Sequence, residues 1–276
     1  MKWLHFILSH SIFIAICAVA LAFQTAQLRH FNSTFPVYGF IFFATLCSYN
    51  FFWVLSRLSF LQGAVTAGFL KKEAIPISLF VFSGAGLLFC LEQSSIPFNF
   101  VLTACLLTVF YSIPLLPFTF LTFIRRLGVL KTIMLAFTWT YVTAFIPLQK
   151  TYLLLDNADL FIITRRFLFM FMLCIIFDSR DIAVDKLRGL RSLATDLSPA
   201  ILQLLTYSVF IVLFGTNLLS TSYGVTGYQS IALQVSTISL LIVYFYSTRK
   251  QGYLFYYFLA DGLMLFSALS TFIASI

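Results

Sequence analysis

Residues 159–177, DLFIITRRFLFMFMLCIIF, form an apolar run long enough to cross a membrane, and residues 178–193, DSRDIAVDKLRGLRSL, follow it without a break. A bilayer core needs about 20 apolar residues in helical form. The second stretch packs three acids (Asp178, Asp181 and Asp185) and four bases (Arg180, Lys186, Arg188 and Arg191) into sixteen residues. Nowhere else do the two signs crowd together so densely, and here they do so at the edge of an apolar span. The pair of segments predicts a helical membrane protein that carries its chemistry at one membrane surface.

Composition agrees. The chain is 61% hydrophobic and 9% charged, with a mean hydropathy of +1.00, whereas soluble domains are about half apolar and a quarter charged. Apolar runs long enough to span lie near 6–25, 35–56, 75–91, 94–118, 131–149, 159–177, 199–220, 228–247 and 253–275, which predicts about nine transmembrane helices in one all-α domain over residues 1–276. Met1-Lys2 ahead of the first run resembles a secretory leader, but the run is long, and it is read as a retained span.

Basic residues test the count independently. The loops after runs two, four, six and eight carry Arg57, Lys71 and Lys72, then Arg125, Arg126 and Lys131, then Arg180, Lys186, Arg188 and Arg191, then Arg249 and Lys250. The alternate loops offer little more than Arg29 and Lys150. The positive-inside rule then predicts a multi-pass protein of the plasma (inner) membrane with a cytoplasmic N-terminus and an external C-terminus. This orientation accounts for the net charge of +8, and no nucleic-acid partner is called for.

If the sixth helix continues past the membrane edge, Asp178, Asp181 and Asp185 stand at i, i+3 and i+7 and share one helical stripe. Unpaired carboxylates so placed repel one another and call for a cation. Magnesium, a hard ion, takes carboxylate oxygens together with substrate phosphates. Nearby Lys and Arg side chains suit the remaining phosphate charge. The bland alternative is a solvated, mixed-charge loop beside the membrane.

The ordered pattern Asp178-x-x-Asp181-x-x-x-Asp185-Lys-x-x-Gly-x-Arg191-Ser-Leu resembles the second aspartate-rich motif of the UbiA superfamily of intramembrane prenyltransferases. Tyr111-Ser112-Ile-Pro114, with Arg125-Arg126-Leu-Gly128-Val-Leu-Lys131, resembles the family's connection between helices four and five. The resemblance implies a bundle of nine helices and magnesium-dependent transfer of a polyprenyl group from an allylic prenyl diphosphate to a small-molecule acceptor. It further implies that Asp178, Asp181 and Asp185 serve as catalytic and metal-binding residues, with Asn50, Lys131, Lys186, Arg188 and Arg191 binding substrate. One departure stands out. The family's first motif, N-x-x-x-D-x-x-x-D at the inner end of helix two, keeps Asn50 here but holds Val54 and Leu58 at the acid positions, so half of the expected metal cage is missing. Either Arg57, Lys71 or Lys72 substitutes for the missing metal charge, or the protein is a noncatalytic prenyl-lipid or diphosphate binder that has lost activity with its first motif.

Ionisation of an allylic diphosphate leaves a carbocation that aromatic faces stabilise. Among 35 Phe and 13 Tyr, Tyr111, Trp139 and Tyr141 are the candidates nearest the expected site. Threonines 138, 140 and 143 line either a cavity or a helix contact, and Ser83-Gly84-Ala-Gly86 predicts close helix packing. Charges inside spans are expensive and often functional. Arg165 and Arg166 lie about 18 Å along the helix from Asp178, too far for the same diphosphate. Asp261 lies about 13 Å deep in the last run, which predicts an ion pair with Arg166; in the alternative the arginines snorkel outward and Asp261 lines a polar cavity. The five cysteines, Cys17, Cys47, Cys90, Cys105 and Cys174, show no ligand spacing and read as packing residues.

Overall fold

The computed structural model describes residues 2–60, 67–112, 128–188 and 191–276. All regular structure among them is helical, as the hydrocarbon demands when backbone groups have no water to bond. Helices α1 (Lys2–Ser9) and α2 (Ile12–Leu28) meet at 68°, with Ser11 in the left-handed region at the corner. Then follow α3 (Phe35–Phe60), the short α4 (Ala67–Lys72), α5 (Ala74–Gln93) and α6 (Phe98–Ser112). After them come α7 (Gly128–Leu148), α8 (Asn157–Arg188), the short α9 (Leu193–Asp196), α10 (Pro199–Leu218), α11 (Gly227–Ser247) and α12 (Phe255–Ile273).

Seven of these helices are long and apolar enough to cross a membrane, the α1–α2 pair does so as a bent span, and α6 is a shorter apolar helix. Each falls on one of the nine runs read from the sequence. The extra ~16 Å that eleven residues beyond 177 add to α8 at 1.5 Å each carry its charged end past the apolar run.

Helix α8 is the axis of the bundle. It packs against α7, α10 and α11, and 61% of its apolar stretch is buried, against 11% for α5. On one side, α2 packs against α3 and α12, and α3 packs against α5. Small residues permit these approaches: a Cβ on Gly86 would stand 2.8 Å from the Phe43 ring and one on Gly39 would stand 2.7 Å from Cys90 Sγ. The close contact expected around Ser83–Gly86 is therefore made by Gly86, whereas Gly84 meets nothing. Two spans contain π-helical turns, Tyr141–Phe145 in α7 and Phe255–Ala260 in α12. Such turns re-aim the following side chains and recur at functional sites.

The expected pair between Arg166 and Asp261 does not form. Arg166 is 1% exposed and donates to Leu21 O and Gln24 Oε1 at 2.9 Å and to Thr25 and Thr143 hydroxyls at 3.3 Å. Arg165 donates to Asn217 Oδ1 at 2.7 Å. Both arginines are held by neutral oxygens in the core and do not snorkel outward. Depth along a helix was legible in the sequence, but the direction around it was not: Arg166 points toward α2 and α7.

At the Asn157 end of α8 the charges saturate one another. Asp159, fully buried, accepts from Arg29 Nε and Lys150 Nζ at 2.7 Å each, while Arg29 Nη2 also reaches Asp156 Oδ2 at 2.5 Å. The Asp159 backbone N–H bonded to Asp156 holds that carboxyl below its usual 3.8, and the hydrogen bond to Asp159 raises the Lys150 ammonium above 10.5. Arg29 and Lys150, the two bases that the alternate loops were left with, thus meet in one cluster.

Candidate functional site: a charged cavity with an apolar annex

The three acids of α8 turn out to share a cavity. Asp178, Asp181 and Asp185 line a space of about 370 Å³ enclosed by α2, α3, α7, α8 and α12. The i, i+3, i+7 spacing aims all three toward the same void. Asp178 and Asp185 are buried, at 8% and 6% exposure. From α7, Thr132 donates to Asp178 Oδ2 at 2.5 Å, and Lys131 Nζ stands 3.5 Å from Asp185 Oδ2. That last distance makes an ion pair without a formed hydrogen bond, and Asp185 Oδ2 has no hydrogen-bond partner among the described residues.

Helix α7 reaches this position through a close contact. A Cβ at Gly128 would lie 2.6 Å from both the Ser192 backbone nitrogen and Asp196 Oδ2, so only glycine fits at the helix start. Thr132 also accepts from Leu193 N at 3.3 Å. The segment after the aspartate motif is thereby stapled to the same turn of α7 that carries Lys131 and Thr132.

Two further charged groups, Arg180 and Asp261, complete the wall. Arg180 grips Asp181 with Nε and Nη2 at 2.7 and 2.8 Å, and its guanidinium lies 5.0, 5.3 and 5.1 Å from the ring centres of Phe177, Tyr256 and Tyr257. Asp261 lines the cavity from α12 and is 5% exposed. The alternative reading of Asp261, as a cavity residue, is the one the fold realises. The signal for Thr132 was its place one residue after Lys131, and the signal for Arg180 was its position beside Asp181 within the motif itself.

Other expected binding residues lie elsewhere. Asn50 donates to Leu46 O of its own helix at 2.8 Å and to His10 O at 3.5 Å, and it does not line the cavity. Arg191 bonds Asp196 at 2.7 Å. Lys186 is exposed on the far side of the stripe. The side chains of Arg188, Leu58 and Tyr111 lie outside the described residues, as do Pro114, Arg125 and Arg126. Arg57 stacks 4.9 Å over Trp53 and pairs with Glu73 at 3.8 Å, and Lys71 and Lys72 are exposed. Among the described residues the cations lining the cavity are Lys131 and Arg180.

A second space of about 380 Å³ adjoins the first. It is walled by α3, α5, α6 and α7 and is lined by residues such as Phe40, Ala44, Phe80, Ala104 and Val142, with no Asp, Glu, Lys or Arg. Tyr49, Phe52, Leu135 and Trp139 border both spaces. Trp139, expected as an aromatic wall, is therefore the partition between a charged chamber and an apolar one. Tyr141 instead bonds Phe100 O at 3.3 Å and stacks on Phe145. Thr138 borders the apolar space, while Thr140 and Thr143 bond backbone carbonyls of their own helix.

The donor set of the charged chamber suits a hard cation. Among the described residues four acids face two bases there, and a buried carboxylate oxygen stands without a hydrogen bond. Among the described residues no three metal-ligating side chains converge on one point. The fit is to an ion that takes one or two carboxylates and completes its shell from substrate oxygens and water, not to a cage made by protein alone.

The fold has a solved counterpart. The apo structure of a UbiA homolog from Aeropyrum pernix K1 superposes with a TM-score of 0.64 over 96% of this chain and 97% of that one, at 12% sequence identity. No family model and no characterised protein sequence matches the chain. The chain thus has the UbiA fold, an all-helical integral membrane bundle, over nearly its whole length.

Proposed function

We propose that the protein is an intramembrane prenyltransferase that moves a polyprenyl group from an allylic diphosphate to a small acceptor. The observation that carries this reading is the juxtaposition of the two chambers. A charged space rich in carboxylates shares its Trp139 wall with a space that no charged residue lines among those described, the polarity pattern of a ligand with a diphosphate head and a hydrocarbon tail. The UbiA fold agrees with it.

In this reading the chain lies in the apolar chamber, where its transfer from water is favourable by about 25 cal/mol per Å². The head lies between α7 and α8. Asp178 and Asp185 would hold magnesium there, and bound magnesium supplies neutralising charge for the diphosphate as it leaves. Lys131 adds a fixed positive charge at the same wall. Thr132 orients Asp178 by its short hydrogen bond, so one oxygen stays available toward the cavity. Arg180 keeps Asp181 occupied and adds positive charge opposite. Trp139, between head and chain, offers an aromatic face at the level where the allylic carbon carries its developing charge.

The missing acids of helix two change what the site needs. A single aspartate stripe, with Lys131 and Arg180 in the wall, replaces two facing acid clusters. The test is incubation of the purified protein in nanodiscs with labelled farnesyl and geranylgeranyl diphosphates, with and without magnesium. The expected result is magnesium-dependent release of pyrophosphate; no release under any condition contradicts the reading.

A further inference from the structure

Asp261 is the odd carboxylate of this molecule. It lies in a membrane span, it is 5% exposed, and no hydrogen bond or ion pair engages it among the described residues. Asp159 and Asn217, also buried, are treated differently. Asp159 collects two cations and a backbone N–H, and Asn217 bonds Arg165, Leu233 and Thr237. Buried polar atoms are normally satisfied, so a bare one aimed into a cavity points to a group that arrives from outside.

The surroundings restrict what that group is. The nearest charge is Arg180, whose Nε and Nη2 are committed to Asp181 and whose faces are covered by three aromatic rings. The acids that would hold a diphosphate's magnesium, Asp178 and Asp185, stand instead where α8 meets Thr132 and Lys131 of α7. The magnesium proposed above is assigned to Asp178 and Asp185, and among the described residues no group of three metal-ligating side chains brings Asp261 to that point. Phe13 and Ile14 of α2, Tyr257 in the π-helical turn and Met264 one turn beyond Asp261 supply the other lining on this side. What remains is an uncharged molecule with an apolar body and one O–H or N–H to donate, the complement of an acceptor-only carboxylate.

We infer that Asp261, on the α12 wall of the cavity, binds the hydroxyl or amine of the acceptor and takes its proton during transfer. This inference rests on the prenyl-transfer reading above. The acceptor's oxygen or nitrogen forms a bond to C1 of the chain, and the C1–O bond to the diphosphate breaks, with its electron pair leaving on the diphosphate. The acceptor's proton passes to the Asp261 carboxylate and from there to water. No oxidant or reductant is needed. The donor and acceptor walls are then built by different helices, α7 with α8 and α2 with α12.

A hydrophobic carbodiimide in nanodiscs provides the test, with peptide mapping by mass spectrometry. Asp261 of the wild-type protein is expected to be labelled. Phenol is expected to slow labelling; anisole, which lacks the O–H, is expected to leave it unchanged. Asp261→Asn should lower phenol-dependent release of pyrophosphate from farnesyl diphosphate by about 10²-fold or more, without weakening farnesyl diphosphate binding. Because labelling is read on the wild-type chain, the test survives a variant that fails to fold. An unreactive Asp261, or labelling blocked by farnesyl diphosphate and indifferent to phenol, overturns the inference. Protection by phenol with no pyrophosphate released by the wild-type protein supports the hydroxyl site and contradicts prenyl transfer.

Discussion

The two ends of α8 carry the same kinds of residue and use them oppositely. At the Asn157 end, Asp156 and Asp159 meet Arg29 and Lys150 at 2.5–2.7 Å, and the cluster closes on itself. At the Arg188 end, Asp178, Asp185 and Asp261 face a cavity with Lys131 no nearer than 3.5 Å to Asp185. Buried carboxylates that are saturated hold helices together; buried carboxylates left with free oxygens await a ligand. Residue type does not distinguish these cases, but partner count does.

Substitution at the cavity end should separate activity from stability most strongly. Asp178→Asn and Asp185→Asn are each expected to lower pyrophosphate release by about 10²- to 10³-fold with thermal unfolding little changed; a full-rate Asp178→Asn enzyme would erase the contrast. At the closed end the expectation reverses. Asp159→Ala removes two charge-assisted hydrogen bonds and leaves Arg29 and Lys150 only the half-exposed Asp156, a cost of about 3 kcal/mol, seen as a lowered midpoint of thermal unfolding, with turnover retained below it. Wild-type stability with impaired turnover would show that this end belongs to the site.

Between the ends, the arginines of the core give a smaller effect. Arg166→Ala removes four hydrogen bonds and leaves Leu21 O and Gln24 Oε1 short of a donor, for about 1–3 kcal/mol of destabilisation. An unchanged denaturation midpoint would refute the structural role assigned to it.

The smallest effect is that of pH on the closed cluster. Asp156 is lowered on folding, so its contribution is complete above 3.8 and fades as pH falls through its folded value. Lys150 is raised, so its contribution is complete below 10.5 and fades as pH rises through its folded value. Both side chains are substantially exposed, at 51% and 37%, and solvent screening keeps the amplitude small. The difference in unfolding midpoint between wild type and a Lys150→Met, Asp156→Asn double variant should be flat between these limits. A slope near neutral pH would contradict the assignment.

Hydropathy made the spans legible because each helix meets lipid along much of its length, so composition alone marks it. The break between α1 and α2 was not legible: Ser11 takes the left-handed conformation that Gly usually signals. In the site, the acid stripe followed from helical periodicity, and Lys131 from its motif. Asp261 was visible as an intramembrane charge, but its partner was misassigned, because depth fixes one coordinate and the azimuth of α12 depends on the π-helical turn at Phe255–Ala260. Asn50 illustrates the converse. Its place in a motif pattern suggested a ligand role, yet its amide is directed to Leu46 O and His10 O.

The central claim is that the cavity-facing acids of α8 hold a magnesium-bound diphosphate. Its most direct measurement is calorimetric titration of farnesyl diphosphate into the purified protein in nanodiscs, with and without magnesium, for wild type and Asp178→Asn. Binding that requires both magnesium and Asp178 is the predicted result. Equal affinity in the variant, or affinity indifferent to magnesium, would contradict the account.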